Sequence, residues 1–93
     1  MSEPKLIAAV EITGSDLGKT VRVLEIEEET GVELIVTGVL CQIGHESTRT
    51  WLHIGRQKGA RSVRLVSLGH KHPVELDPRQ WEVSDVAKLR PGR

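Results

Sequence analysis

Aromatic residues are scarce in this chain, and their scarcity limits how a core can be filled. The 93 residues include no phenylalanine and no tyrosine, so Trp51 and Trp81 supply all of the aromatic bulk. Trp51 is expected to dominate the packing of the core. Most other apolar side chains are valine, leucine and isoleucine, which favour the pleated surface of a β-sheet. A chain of this length predicts one small domain and not a two-lobed enzyme.

Cysteine and long apolar segments are scarce as well. The single cysteine, Cys41, excludes an internal disulfide bond. The longest apolar run, residues 6–10, is far shorter than the roughly 20 residues that cross a bilayer. No stretch has the pattern of a secretory signal. We therefore expect a cytoplasmic protein that does not insert into a membrane.

The formal net charge is zero, but the charges are sorted along the chain. Residues 1–47 carry nine acidic and three basic side chains, whereas residues 48–93 carry four acidic and ten basic ones. The first half therefore has a net charge of −6 and the second half a net charge of +6. Such a separation favours contacts with charged partners or between copies.

Alternating apolar and polar residues predict short strands separated by turns. Residues 20–28 give the clearest alternation, and Gly31 is expected to close a hairpin after them. Residues 32–43 form the longest candidate strand. Gly38 within it has no side chain to pack, so we expect the strand to bend there and to serve two halves of one barrel.

The remaining segments complete an all-β prediction. Further strands are predicted at 48–54, 62–68, 74–76 and 81–84, and residues 77–80, Asp-Pro-Arg-Gln, are predicted to form one short helical turn. Five or six short strands with frequent turns predict a small β-barrel over residues 13–84. Residues 1–12 are expected to form an N-terminal arm or an edge strand, and residues 85–93 a basic flexible tail.

Glycine-containing patterns resemble those of small SH3-like or Sm-like barrels. Residues 18–23, Gly-Lys-Thr-Val-Arg-Val, are followed by residues 37–40, Thr-Gly-Val-Leu, and by Ile-Gly-His at 43–45, as in the first half of such domains. The resemblance implies a five- to six-stranded SH3-like or Sm-like barrel. Short proteins of actinobacterial phages often have this layout, so a phage origin is also implied. The aspartate and asparagine that contact RNA bases in the Sm family have no counterparts at 44–48, so the resemblance implies a fold and not Sm-type RNA binding.

Basic residues in the second half give the strongest functional signal. The predicted anion-binding residues are Arg49, Arg56, Lys58, Arg61 and Arg64, to which the tail adds Lys88, Arg90 and Arg93. Guanidinium groups on a loop bounded by Gly55 and Gly59 can form paired hydrogen bonds with phosphates. The predicted ligand is a nucleic acid or a nucleotide. The simpler alternative is a charged loop that is only solvated.

The opposite charges of the two halves also predict self-association. The predicted contact residues are Glu27, Glu28 and Glu29 of the acidic hairpin and Leu6, Ile7 and Val10 of the apolar arm. If the hairpin at residues 25–33 of one copy meets the basic loop at residues 56–64 of the next, copies assemble head to tail into a ring or a filament. Alternatively, the two halves mix and neutralise each other within one molecule.

Neither a metal site nor a catalytic site is predicted. The four histidines are His45, His53, His70 and His72. Lys71 would repel a cation between the last two, and no cysteine pair or spaced carboxylate completes a site. Cys41 lies in an apolar strand, where a buried structural thiol is expected. With no phosphate-loop or serine-nucleophile motif, we predict no cofactor and no enzymatic activity.

The sequence thus predicts a non-enzymatic binding module that self-associates and binds an anionic ligand through a basic loop. The alternative is a protein-binding or structural component, such as an inhibitor of a host protein or a part of a virion. This alternative depends on the apolar arm at residues 6–10, which has no evident partner in a closed barrel and is free to dock on another chain.

Overall fold

The described residues form an antiparallel sheet of six strands. The computed structural model describes residues 5–78 and 89–90, and no α-helix occurs within residues 5–78. The strands are β1 (Lys5–Ala8), β2 (Thr20–Ile26), β3 (Glu33–His45), β4 (Arg49–Gly55), β5 (Val63–Gly69) and β6 (Pro73–Leu76). Two short 3₁₀ turns, Ala9–Glu11 and Gly14–Asp16, connect β1 to β2. The all-β prediction is therefore confirmed.

Within the part of the chain that the structure describes, the sheet is not closed into a barrel, so this part of the prediction is wrong. The strand order is β1-β6-β2-β3-β4-β5, and the two edge strands, β1 and β5, share no ladder. After only four residues β1 ends at Ala8, and the chain turns across the end of β5. The N–H groups of Ala9 and Val10 donate to the carbonyl oxygens of His72 and His70, at 2.9 and 3.0 Å. Closure of a barrel would require a ladder of hydrogen bonds between β1 and β5. The 3₁₀ turn after β1 instead forms these two hydrogen bonds with residues that follow β5.

β3 serves two strand pairs in succession, as a strand shared by two halves of a sheet must. Its residues 33–39 pair with β2, and its residues 39–45 pair with β4. The register shifts between Leu40 and Gln42, so the irregularity lies at Cys41 and not at Gly38.

Gly38 is required for a close approach between strands. A Cβ atom at this position would lie 2.6 Å from Cγ2 of Ile54 and 2.7 Å from the carbonyl oxygen of Gly55. The end of β4 therefore packs directly against the backbone of β3. The sequence correctly indicated that Gly38 is a special position. Its role is to allow the close approach of β4, whereas the bulge lies at Cys41.

The core occupies one face of the sheet and consists almost entirely of branched aliphatic residues. Its buried members are Ala9, Ile12, Val21, Val23, Leu40, Leu52, Ile54, Val66, Leu68, Val74 and Leu76. Because Ala9 and Ile12 are fully buried, the segment after β1 is part of the fold. Trp51 is only partly buried and lies outside this cluster, since Leu52 and Thr50 on either side of it point inward. The expectation that Trp51 dominates the core is wrong.

Side chains bridge the gap between β2 and β5. Beyond Arg22, β2 has no described partner strand on the side of β6. Glu25 of β2 forms an ion pair with Arg64 of β5. Nε2 of His72 donates to the carbonyl oxygen of Leu24 at 2.7 Å. We call this gap, with its side-chain bridges, the β2–β5 seam.

Predictions for the C-terminal region fall mostly outside the described residues. These are Arg79, Gln80, the predicted strand at 81–84 and the predicted tail apart from Leu89 and Arg90. A helical turn at residues 77–80 would use Asp77 as its N-cap, with an extended backbone, but Asp77 has a φ of 51°. Leu89 is 1% exposed, and the Arg90 guanidinium donates to both carboxylate oxygens of Glu33 at 3.1 Å. At Arg90, the chain is therefore tied to the start of β3.

Candidate functional site

Residues 56–62, which we call the basic loop, connect β4 to β5. Gly59 adopts a φ of 76°, a left-handed conformation that favours glycine. The N–H of Ala60 donates to the carbonyl oxygen of Gln57 at 3.1 Å. The same oxygen lies 3.4 Å from the thiol of Cys41 at the irregularity in β3. The loop is therefore shaped by its own turn and attached to β3 at Cys41.

Three cations of the basic loop project into solvent. Arg56, Lys58 and Arg61 are exposed. Across the part of the chain that the structure describes, none of them forms an ion pair or a side-chain hydrogen bond. The stem of Lys58 passes over Gly18, where a Cβ atom would lie 3.6 Å from Cδ. The charges are therefore available to a ligand.

The other two predicted anion-binding residues are already engaged. Arg64 pairs with Glu25 across the β2–β5 seam. Arg49 donates through Nε to the hydroxyl of Ser67 and through Nη2 to the carbonyl oxygen of the same residue, the latter at 3.0 Å. The five residues thus do not form one patch of equivalent cations. Of the five, only the three loop cations are unpaired within the described chain.

A groove lies beside the basic loop. It has a volume of about 420 Å³ and is lined by Val36, Thr37, Gly38, Ile54, Gly55, Arg56, Ser62 and Arg64. Arg56 supplies an unpaired guanidinium to it, and Thr37 and Ser62 supply hydroxyl groups. Sequence reasoning missed both hydroxyls. Ser62 follows Arg61 directly and was detectable as a second donor on the loop, whereas only the fold brings Thr37 to this place.

The tip of the acidic hairpin forms no ion pair with Arg56, Lys58 or Arg61 within the described chain. Glu27, Glu28 and Glu29 are exposed at the turn between β2 and β3. Gly31 closes this turn with a φ of 73°, and the N–H of Glu27 donates to the carbonyl oxygen of Val32 at 2.9 Å. Ion pairs between the two halves occur elsewhere in the described chain, at Arg64–Glu25, Arg90–Glu33 and Arg22–Glu75. Neutralisation within the molecule is therefore partial.

The apolar arm is an edge strand with one face in the core. β1 pairs with β6, and Ile7 packs against the buried cluster. Leu6 and Val10 are 49% and 45% exposed. Removing residues 1–12 would take buried Ala9 and Ile12 out of the core, so such a truncation would test folding and not docking.

Three histidines act as hydrogen-bonding links between segments. Nε2 of His45 donates to the carbonyl oxygen of Ile12 at 2.7 Å, while Nε2 of His70 lies 2.8 Å from the carbonyl oxygen of Glu46. His72 bonds Leu24 across the seam. Burial lowers the pKa of His72, an effect that the hydrogen bond to Leu24 opposes and the charge of Arg49 reinforces.

No grouping of histidine, cysteine and carboxylate side chains suited to a metal ion occurs among residues 5–78 and 89–90. The described part of the chain also contains no helix long and apolar enough to span a bilayer. Comparisons of the chain with protein-family models, with curated proteins and with solved structures find no match.

Proposed function

We propose that the protein is a non-enzymatic binding module that self-associates and binds an anionic ligand, a nucleic acid or a nucleotide, through its basic loop. The observation that supports this proposal is the set of three exposed cations, Arg56, Lys58 and Arg61. They lie on a loop of seven residues that contains no acidic side chain. Such a loop attracts phosphates and forms charge-assisted hydrogen bonds with them.

The groove beside the loop adds directional donors to this charge. A phosphate near Arg56 would also lie beside the hydroxyl groups of Ser62 and Thr37, which line the same groove. Arg64 lines it too, but its charge is partly offset by Glu25. We therefore assign the principal contacts to Arg56, Lys58 and Arg61 and a minor contribution to Arg64 and Arg49.

The finer parts of the proposal rest on the sequence. The SH3-like or Sm-like relationship, the phage origin and the cytoplasmic location stay predictions, because the comparisons return no relative. The binding proposal is independent of them, since it depends only on the loop and its groove.

Titration of a fluorescent single-stranded oligonucleotide at several salt concentrations tests the proposal. We expect Arg56→Glu and Arg61→Glu each to weaken binding by about tenfold at low salt, because each removes a phosphate contact and adds a repulsion. Each variant should also reduce the slope of log affinity against log salt by about one.

Lys71→Glu is the matched control. Lys71 is exposed, and its replacement by glutamate changes the net charge by the same amount. It lies just after the end of β5, whereas the basic loop precedes the start of β5. A strand of seven residues separates the two ends by roughly 20 Å. If all three variants bind like the unaltered protein, or all weaken equally, the basic loop is not the site. The alternative, a protein-binding or structural component, would then be favoured.

A further inference from the structure

Among the described residues, the first half of β3 is an open sheet edge. Residues 33–39 pair with β2, but β4 begins its pairing only at Val39. Between Glu33 and Gly38, β3 therefore has a described neighbour on one side only. Since β2 and β3 continue together to the acidic turn, this part of the molecule is a two-stranded ribbon that projects beyond β4.

The hydrogen bonds of neighbouring residues show which backbone groups face outward. The N–H of Leu40 donates to the carbonyl oxygen of Lys19 at 2.9 Å, and the carbonyl oxygen of Val32 accepts from Glu27 at 2.9 Å. Even-numbered residues of β3 therefore face β2 in this antiparallel ladder. The odd-numbered residues, Glu33, Ile35 and Thr37, direct their N–H and C=O groups away from it.

These outward groups have no partner in the described chain. Within residues 5–78 and 89–90, no backbone hydrogen bond links Glu33, Ile35 or Thr37 to a segment other than the sheet ladder. Ile35 is 39% exposed, and the stretch from 33 to 38 contains neither lysine nor proline, two residues that commonly protect an edge from strand pairing. Such an edge is suited to accept another strand.

We propose that the partner of this edge is the same edge of a second copy, so that two β3 strands pair antiparallel across a two-fold axis. A register centred on Ile35 places Ile35 opposite Ile35 and Glu33 opposite Thr37. It is the register that pairs all three outward-facing residues of each copy, because those residues are spaced symmetrically about Ile35. It also joins the two sheets into one continuous sheet.

Charge complementarity supports a second copy as the occupant. In this register the acidic turn of one copy extends past Thr37 of the other, towards Gly38 and the start of the basic loop. Glu27, Glu28 and Glu29 of each copy would then lie beside Arg56, Lys58 and Arg61 of its partner. Two such contacts form at once, because the two-fold axis repeats each contact. The assembly is thus closed, unlike the head-to-tail ring or filament predicted from the sequence.

The dimer and the proposed anion site use the same cations. A polyanion that binds Arg56 and Arg61 would compete with the acidic turn of the partner, so the monomer would be the form that binds best. The two proposals nevertheless rest on different features, the edge of β3 and the charge of the loop. They can therefore fail separately.

Light scattering over a range of protein concentrations, with Ile35→Pro as the main variant, tests the pairing. Proline removes the outward N–H at the centre of the register and is tolerated on a free edge. Ile26→Pro is the matched control, because Ile26 is 42% exposed and faces away from β3 on the other strand of the same ribbon. We expect a concentration-dependent dimer for the unaltered protein and for Ile26→Pro, and a folded monomer for Ile35→Pro.

A charge-reversal pair tests the same geometry without changing the edge. One variant carries Glu27→Lys, Glu28→Lys and Glu29→Lys, and the other carries Arg56→Glu, Lys58→Glu and Arg61→Glu. Each alone should be a monomer, because like charges meet twice in its dimer. Mixed in equal amounts, the two variants should form a heterodimer, since both contacts are then complementary.

Several results would overturn the proposal. They are an unaltered protein that stays monomeric at its highest soluble concentration, a mass that grows beyond the dimer, and a mixture of the two reversed variants that stays monomeric. Oligonucleotide titration of Ile35→Pro separates this proposal from the proposed function. If that variant is monomeric and binds the oligonucleotide at least as tightly as the unaltered protein, both proposals stand. If it is monomeric and neither it nor the unaltered protein binds, only the anion proposal fails.

Discussion

At the scale of single residues, Gly38 shows how a position without a side chain can determine strand packing. Replacing it with alanine would place a methyl group 2.6 Å from Cγ2 of Ile54 and 2.7 Å from the carbonyl oxygen of Gly55. The carbonyl belongs to the backbone and has little freedom to move. We therefore expect Gly38→Ala to lower the free energy of unfolding by about 1–3 kcal/mol, as overpacking does.

Denaturant-induced unfolding measures this loss. Gly44→Ala in the same strand is the control, because a Cβ atom there has no atom within 4 Å. The control should be neutral or stabilising by up to about 1 kcal/mol, since alanine restricts the unfolded chain more than glycine does. Equal stability of the two variants would contradict the close approach at Gly38.

The sequence identified Gly38 as a special position but not the reason for it. A glycine inside an apolar strand indicates a bulge, a bend or a close approach, and the sequence alone does not separate these three. The atoms that decide the matter belong to Ile54 and Gly55, far along the chain. The register shift at Cys41 leaves no signal of its own in the sequence, because a cysteine among valines and leucines is typical of a regular buried strand.

At the scale of elements, the strands with long alternating patterns could be predicted, and their order in the sheet could not. β2 and β5 were located within two residues, because their alternation of apolar and polar residues is regular. β6 has only four residues, yet it lies between β1 and β2. Nothing local specifies such a pairing, because it depends on distant segments meeting. The same limit explains why closure of the barrel was wrongly predicted.

The candidate site could be located from the sequence but not resolved into its parts. The cluster of basic residues around Gly59 is visible as a pattern, and the loop that carries it lies where that pattern predicts. The sequence does not show that Arg64 reaches Glu25 across the seam or that Arg49 binds Ser67. Both contacts depend on how the sheet curls. Five apparently equivalent cations therefore divide into three that are unpaired and two that are engaged.

The β2–β5 seam makes the stability of the fold depend on pH, because it contains the titratable side chain of His72. His72 is half-buried and donates to Leu24 as a neutral ring, and burial lowers its pKa below the ordinary value of 6.5. Below pH 6.5, His72 is protonated in the unfolded chain but stays neutral in the folded chain until the pH reaches its lowered pKa. The contribution of His72 to stability is therefore complete above pH 6.5 and falls as the pH drops towards its lowered pKa.

The variant His72→Gln isolates this contribution. Glutamine keeps a donor for the carbonyl oxygen of Leu24 but does not titrate. We expect the stability of the unaltered protein to decline more steeply than that of the variant as the pH falls below about 6.5. Unfolding curves at a series of pH values give both slopes. If the slopes are equal, His72 is not protected from protonation by the seam.

At the scale of the whole molecule, buried apolar residues lie on both faces of the sheet. Val21 and Val23 of β2 point into the main core. Leu24, the next residue along the strand, is also fully buried but lies outside that cluster. Leu89 is also 1% exposed and outside the cluster. A sheet that buries one face only would leave such leucines in water. The region predicted to be a flexible tail therefore contains at least one residue that the fold buries.

Truncation of Leu89 tests whether this burial contributes to stability. Leu89→Ala should lower the free energy of unfolding by about 2–5 kcal/mol, as for other fully buried leucines. Leu65→Ala is the matched control, because Leu65 is 50% exposed and should cost no more than about 0.5 kcal/mol. Arg90→Gln should have only a small effect, since its ion pair with Glu33 is open to solvent. If Leu89→Ala is no more destabilising than Leu65→Ala in the same denaturant series, the C-terminal region does not stabilise the sheet. The six described strands would then be sufficient for the stability of the fold.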